Sequence, residues 1–339
     1  MLKKSDYDFY LPPSLIAQYP NKKREFSRLL IVDKKKDNFI NSHFYDLDKF
    51  LNKGDVLVFN KTKVFPARIF GRKKTGGKVE IFLLKKITDS LWEILCKGSN
   101  IFKKEIIISD KMSAVIFKEN SGKIFANFSY NGKNIEKEIL RIGKIPLPPY
   151  IKRDVEKFDE EYYQTVFGKN SGSVAASTAG LHFSWEMIKR MKEKGIKICY
   201  ITLHIGFGTF EKLKYENIPE NTLHLEYCQI EESVAKKINE AKKSGFRVVA
   251  VGTTVARTLE SFASFESVSF GKKWTDIFLF PGKKFKIVDA LVTNFHLPKS
   301  SLIVMTSAFA GYTKIKKAYK YAIDKGYKFY SYGDGMLII

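Results

Sequence analysis

Beyond residue 184 the hydrophobic positions change period in a recurring order. WEMIKRMKEKG places apolar residues three and four apart, with Ser184 positioned to cap its start and Gly195 to end it. IKICYITLHI follows, apolar and β-branched, and reads as a strand. A second helix runs from Glu231 to Gly245 and leads into FRVVAVG; a third runs from Lys314 to Lys325, closes at Gly326 and leads into YKFYSYG. GTT at 252–254 opens another helix, VARTLESF, and NFHLPKSS at 294–301 enters SLIVMTSAFAG. Helix–strand alternation of this kind predicts an α/β domain, and the runs SRLLIVD (27–33) and DVLVFN (55–60) share its character.

The middle of the chain has a different period. VFPARIF, KVEIFLL, LWEILC, EIIIS, SAVIFK and KIFANFSY are short runs separated by TGG, NSGK and NGK, with no helical period before IEKEILRIG. This predicts a small antiparallel β domain, barrel or sandwich, and PLPPY (146–150) reads as a stiff return. The fold class expected is therefore α/β: a large mixed α/β domain from 1–63 and 147–339, with a small antiparallel β-barrel domain inserted at 64–146.

A chain of 339 residues with 44% hydrophobic positions suits two domains. No stretch reaches the length of a membrane span, and MLKKSDYDFY lacks the apolar run of a signal peptide, so a cytoplasmic protein is expected. Cys96, Cys199 and Cys228 are too few and too far apart for a disulfide framework. The net charge of +23 points to a polyanionic partner, with nucleic acid foremost, although fifty lysines against nine arginines also bear the mark of codon bias. Arg24, Arg28, Arg68, Arg153 and Arg257 stand where lysine is the default, as a need for a planar, bidentate donor would require.

Candidate chemistry gathers at predicted strand ends, where ligands of α/β sheets bind. LHIGFGTF offers His204, Gly206, Gly208 and Thr209; VGTTVART offers Thr253, Thr254 and Arg257; SYGDGM offers Tyr332 and Asp334. GFG lacks the third glycine of a dinucleotide fingerprint, since position 211 is Glu, which leaves the shorter glycine turn of a methyltransferase open. The helix start after GTT offers N–H groups to a carboxylate or phosphate. Four histidines, His182, His204, His224 and His296, lie nearby, with Asn294 and Glu226. Cys199 and His204 sit five apart on one strand and face opposite sides, so no metal site is expected. SVAASTAGLHFS (173–184) is a poor helix and a poor strand, yet it ends in a histidine. A basic, non-catalytic RNA-binding module also fits the charge.

DFYLPPSLIAQYP, GSVAASTAGLHFS, TLHIGFGTF, VGTTVARTLES, TNFHLPKSSLIVMTSAFAG and YKFYSYGDGMLI together closely resemble the S-adenosylmethionine:tRNA ribosyltransferase-isomerases of queuosine biosynthesis, from Asp6 to Ile338. The sequence departs from that family's usual residues at Ser177 (Pro), Lys61 (acidic or amide), Lys283 (aromatic) and Gly335 (Ala). The resemblance implies an α/β domain with an inserted barrel. It implies that S-adenosylmethionine is consumed as a substrate and that no cofactor is needed. The acceptor it implies is tRNA carrying 7-aminomethyl-7-deazaguanine at the wobble position, and the products are epoxyqueuosine in tRNA, adenine and methionine. A monomer without membrane contact is expected. Such chemistry removes a proton from the ribose methylene beside the sulfonium and later takes one from the attacking amine. On that basis His182, His204 and Asp334 are candidates for proton transfer. Gly172, Ser173, Thr178, Ala179 and Gly180 are expected to wrap the donor. Glu226 is a candidate to face the sulfonium, and Thr253, Thr254 and Arg257 to hold the methionine carboxylate or a phosphate.

Overall fold

The computed structural model describes residues 2–210 and 212–339; the side chains of Thr209 and Phe210 lie outside it, and with them the candidate Thr209. Two compact units emerge, one from Met1–Lys63, Pro148–Asp154 and Glu161–Ile339, the other from Val64–Leu147 with Val155–Glu160.

The first unit is built on a nine-stranded mixed sheet, with a two-stranded sheet of Ala263–Ser264 and Ser267–Val268 beside it. We number the strands of the large sheet β1 Arg28–Val32, β2 Phe39–His43, β3 Val56–Asn60, β4 Lys197–Leu203, β5 Glu226–Ile230, β6 Val248–Val251, β7 Gly271–Thr275, β8 Ala290–Asn294 and β9 Gly335–Ile338. Their order is β7-β5-β4-β3-β6-β8-β9-β1-β2. The central four, β4, β3, β6 and β8, run parallel, with β3 and β6 buried throughout, as strands covered on both faces must be. Side chains alternate between faces: Val56 and Val58 enter one hydrophobic cluster, Leu57 and Phe59 the other. Helix α1, Trp185–Glu193, closes the second cluster with Met187, Ile188 and Met191, and Ser184 Oγ accepts its Met187 N–H as an N-cap. Helix α2, Glu232–Lys243, closes the first with Val234, Ala235, Ile238 and Ala241. Helices α3 Thr253–Ser261, α4 Ser301–Ala310 and α5 Tyr312–Asp324 complete the unit.

The second unit closes six antiparallel strands into a barrel, resolving barrel against sandwich. Lys78–Lys86 shows the reason, with Val79, Ile81 and Leu83 buried on alternate positions. IEKEILRIG is helical over Ile135–Ile142, where Asn134 caps Lys137 N–H.

Two features depart from the sequence reading. YKFYSYG is not an extended strand; the strand begins later, at Gly335. Periodicity does not mark strands β2, β5, β7 and β8; β2 and β7 are the two sheet edges, where mostly unburied, polar-rich segments carry no apolar run.

Candidate functional site

The carboxyl ends of β4, β6 and β8, three of the four parallel strands, lead to a cavity of about 70 Å³. Its walls are the small-residue segment Ala175–Ala179, Ile205, Gly252–Thr254 and Thr293–Leu297, with Tyr150 and Tyr330. Asn60, at the end of β3, ties that strand to the end of β4: its Nδ2 donates to Leu203 O at 3.0 Å, and its Oδ1 accepts from Leu203 N at 3.0 Å and Thr62 N at 3.1 Å. Sequence reading missed Asn60, whose signal was a polar residue closing the apolar run DVLVFN. Gly252 turns the chain from β6 into α3 at φ 98, a conformation that disfavours side chains. Thr254 Oγ1 lies 3.3 Å from Ser177 Oγ, tying the loop to that helix start.

Of the predicted residues, Thr178, Ala179, Thr253, Thr254, Asn294 and His296 share this cavity. Asn294 is buried at 2% exposure, and its Nδ2 donates both to Tyr330 O and to His182 Nε2, each at 3.0 Å. The carbonyl partner fixes which way the amide points. Asn294 Oδ1 is then left buried with no hydrogen-bond partner among the described residues, an unmet acceptor in a cavity-lining side chain.

His182 is not in that cavity. It is buried, stacks on Phe44 at 4.1 Å, and lines a separate small recess with Arg24 and Tyr332. Burial, helped by the Arg24 charge, pushes its pKa down to about 3. A neutral ring accepting at Nε2 orients Asn294; it is placed to position, not to exchange protons with a ligand in the cavity. His296 is the imidazole that lines the cavity, its Nε2 2.7 Å from Thr293 Oγ1, and burial likewise lowers its pKa to about 3. His204 stands apart, half-buried, with Nδ1 2.9 Å from Thr62 Oγ1 and its ring stacked on Tyr227. Burial lowers its pKa as well.

Asp334 also takes a different place from the one expected. Its two carboxylate oxygens accept the backbone N–H groups of Arg28 and Lys328, each at 2.7 Å, so it braces the turn before β9. Burial raises its carboxyl above the usual range. Tyr332 packs edge-on against Tyr163 beside the His182 recess.

Glu226 and Arg257, offered separately to a sulfonium and an anion, pair with each other. Arg257 Nη1 donates to Glu226 Oε2, Arg257 Nε donates to Ile277 O at 3.2 Å, and Gly206 N–H donates to Glu226 Oε1 at 2.9 Å. Arg24, Arg28 and Arg153 likewise spend their forks on backbone carbonyls and aromatic rings of this unit.

The small residues divide by what they touch. A Cβ at Gly180 would meet Thr165 Cγ2 at 2.9 Å and Phe167 Cζ at 3.1 Å, so its smallness serves packing against those side chains, and it does not line the cavity. A Cβ at Gly172 would meet the His204 ring at 2.9 Å, and at Gly208 the His224 ring at 2.0 Å. Gly206 has room, its nearest neighbour being Glu226 Oε1 at 3.9 Å. Ser173 is buried and holds the loop to β4's end, accepting from Ile205 N at 2.8 Å and donating to Ala175 O at 2.8 Å. Among the described residues no group of three His, Cys, Asp or Glu side chains is arranged to hold a metal ion.

The family model described as queuosine biosynthesis protein matches residues 4–338. The chain is 44% identical over 341 residues to the S-adenosylmethionine:tRNA ribosyltransferase-isomerase of Sulfurihydrogenibium sp. (strain YO3AOP1), covering all of both chains. It is 45% identical over 342 residues to the protein of that name from Carboxydothermus hydrogenoformans, again over the whole of both. The crystal structure of S-adenosylmethionine tRNA ribosyltransferase from Thermotoga maritima is similar over 98% of this chain and 100% of that one, at 32% identity and a TM-score of 0.57. With the family model spanning nearly every residue and such relatives matched end to end, the chain belongs to the queuosine biosynthesis protein family.

Proposed function

We propose that the chain is a ribosyltransferase-isomerase that transfers the ribosyl group of S-adenosylmethionine to 7-aminomethyl-7-deazaguanine at the tRNA wobble position, releasing adenine and methionine. S-adenosylmethionine is consumed, so no cofactor takes part. The observation that carries the reading is the unmet Asn294 Oδ1 on a side chain that lines a cavity at the ends of three parallel strands. A buried acceptor of this kind suits an adenine amino group or a ribose hydroxyl. Ala175, Ala176 and Ala179 let a sugar and base lie close to the backbone, and the start of α3 faces the same space. Asn294, Thr253, Thr254 and Thr178 hold the adenosyl part, and His296 takes over the proton-handling role first given to His182 and His204. Asp334 and His182 act at one remove, by fixing the backbone and Asn294.

No helix of the described residues is long and apolar enough to cross a membrane, which suits a tRNA substrate. Family membership does not favour a methyltransferase or a non-catalytic RNA-binding module. The test is incubation with adenine-labelled donor and tRNA carrying the modified base. Free adenine is the expected product; S-adenosylhomocysteine would identify a methyltransferase, and neither product would leave RNA binding alone.

A further inference from the structure

Next to the strand-end cavity lies a second one, of about 30 Å³, lined by Gly208, Glu226, Arg257, Phe278, Ser301 and Leu302 among others. Leu302 lines both cavities, so they meet across one side chain. Arg257 is 6% exposed, and its Nη2 has no hydrogen-bond partner among the described residues, although Nη1 and Nε are both engaged. A buried guanidinium N–H without an acceptor is costly, and a protein retains one where a ligand supplies the acceptor. Ser301 and Leu302 are the first two residues of α4, a ten-residue helix whose first N–H groups have no acceptor within the helix. Two independent donors of positive character thus border one small cavity.

The charge balance decides which anion fits. Arg257 is paired with Glu226, so the site as a whole is near neutral. A phosphate brought there would meet the Glu226 carboxylate as well as the guanidinium, and like charges at that depth repel strongly. An α-amino-acid end carries both signs and meets both partners. Its carboxylate accepts from Arg257 Nη2 and the α4 N-terminus. Its ammonium meets the Glu226 carboxylate, the negative partner of the pair, which lines the same cavity.

Building on the proposed function, we propose that this cavity is the subsite for the amino-acid end of the donor. The adenosyl part then lies in the strand-end cavity and the chain crosses at Leu302. The Glu226–Arg257 pair becomes a zwitterion receptor, which determines specificity by selecting donors that keep a complete methionyl arm.

The test measures binding, by calorimetry without tRNA, of S-adenosylmethionine, its decarboxylated analogue and methylthioadenosine. Wild-type protein is expected to bind S-adenosylmethionine about tenfold or more tightly than the decarboxylated analogue, the scale of one or two hydrogen bonds to charged groups. Arg257→Lys keeps the charge and loses the free N–H, and should erase most of that ratio. Glu226→Gln with Arg257→Gln leaves no unpaired buried charge, so its folding is protected; it should bind all three ligands with similar affinity, at the wild-type level for methylthioadenosine. Discrimination that survives in the double variant overturns the subsite, as does a parallel fall in methylthioadenosine affinity. If wild-type protein binds no adenosyl compound at all, the functional reading fails together with the subsite. If it binds methylthioadenosine and S-adenosylmethionine equally, only the subsite fails.

Discussion

Asn294 Nδ2 donates to His182 Nε2 at 3.0 Å, linking the end of β8 to the end of the small-residue loop. The bond joins a cavity-lining amide to an imidazole that does not line that cavity. It explains how a histidine at the end of SVAASTAGLHFS can matter to a ligand without touching one. His182 fixes the amide, and the amide presents Oδ1.

Replacing His182 therefore tests structure before chemistry. His182→Ala removes a buried ring stacked on Phe44 and leaves Asn294 Nδ2 with one acceptor fewer. The expected loss is about 2–4 kcal/mol of unfolding free energy, with donor affinity falling as well. Urea unfolding checks the first and calorimetry the second. Unchanged stability with a hundredfold loss of turnover would restore His182 as a direct proton-transfer group.

Acid should destabilise the fold early. His182 and His296 have folded pKa values of about 3, against roughly 6.5 in an unfolded chain. Between those values the unfolded state binds more protons, so stability rises with pH and falls as pH drops below 6.5. At pH 5 each histidine removes roughly 2 kcal/mol relative to pH 7. His204, lowered by burial, acts in the same sense; Asp334, raised by burial, acts oppositely at lower pH. Unfolding curves at pH 7, 6 and 5 should show the decline, and it should shrink in His296→Gln. A flat profile would mean that the two rings are hydrated and titrate normally.

The loop contains a contrast between neighbours. Gly180→Val forces a side chain against Thr165 and Phe167 and should cost about 1–3 kcal/mol of stability. Ser177 has φ −73 and ψ 86, which a proline ring accepts. Ser177→Pro, the family's usual residue, should change stability by less than about 1 kcal/mol, since chain stiffening offsets the lost contact to Thr254. Thermal melts of both variants distinguish packing from ligand contact. A melting temperature unchanged in Gly180→Val would return the glycine to the ligand.

The net charge of +23 makes tRNA binding a measurable electrostatic event. If about six phosphates are contacted, log Kd should rise with log salt at a slope of about 4, near 0.7 per phosphate for single strands. A slope near zero in filter binding from 50 to 200 mM salt, roughly, would assign the lysines to codon bias.

The sequence by itself determined the elements whose cause is local. Ser184 as a cap, the Gly-terminated helices α1 and α2, and the alternating strands of the barrel follow from backbone preference and side-chain period, which act within a few residues. It also determined that polar residues gather at strand ends, and six of its candidates share one cavity there. Only the tertiary structure decided which way the side chains face. Asp334 looked like a strand-end acid, yet its oxygens hold two backbone N–H groups from Arg28 and Lys328, one of them 306 positions away. Glu226 and Arg257 looked like two separate ligands and became one ion pair across 31 residues. His182 lines a separate recess and reaches the cavity only through Asn294, the residue it orients. Hydrogen bonding and burial of charge depend on partners that arrive from distant strands, and no period along the chain records them.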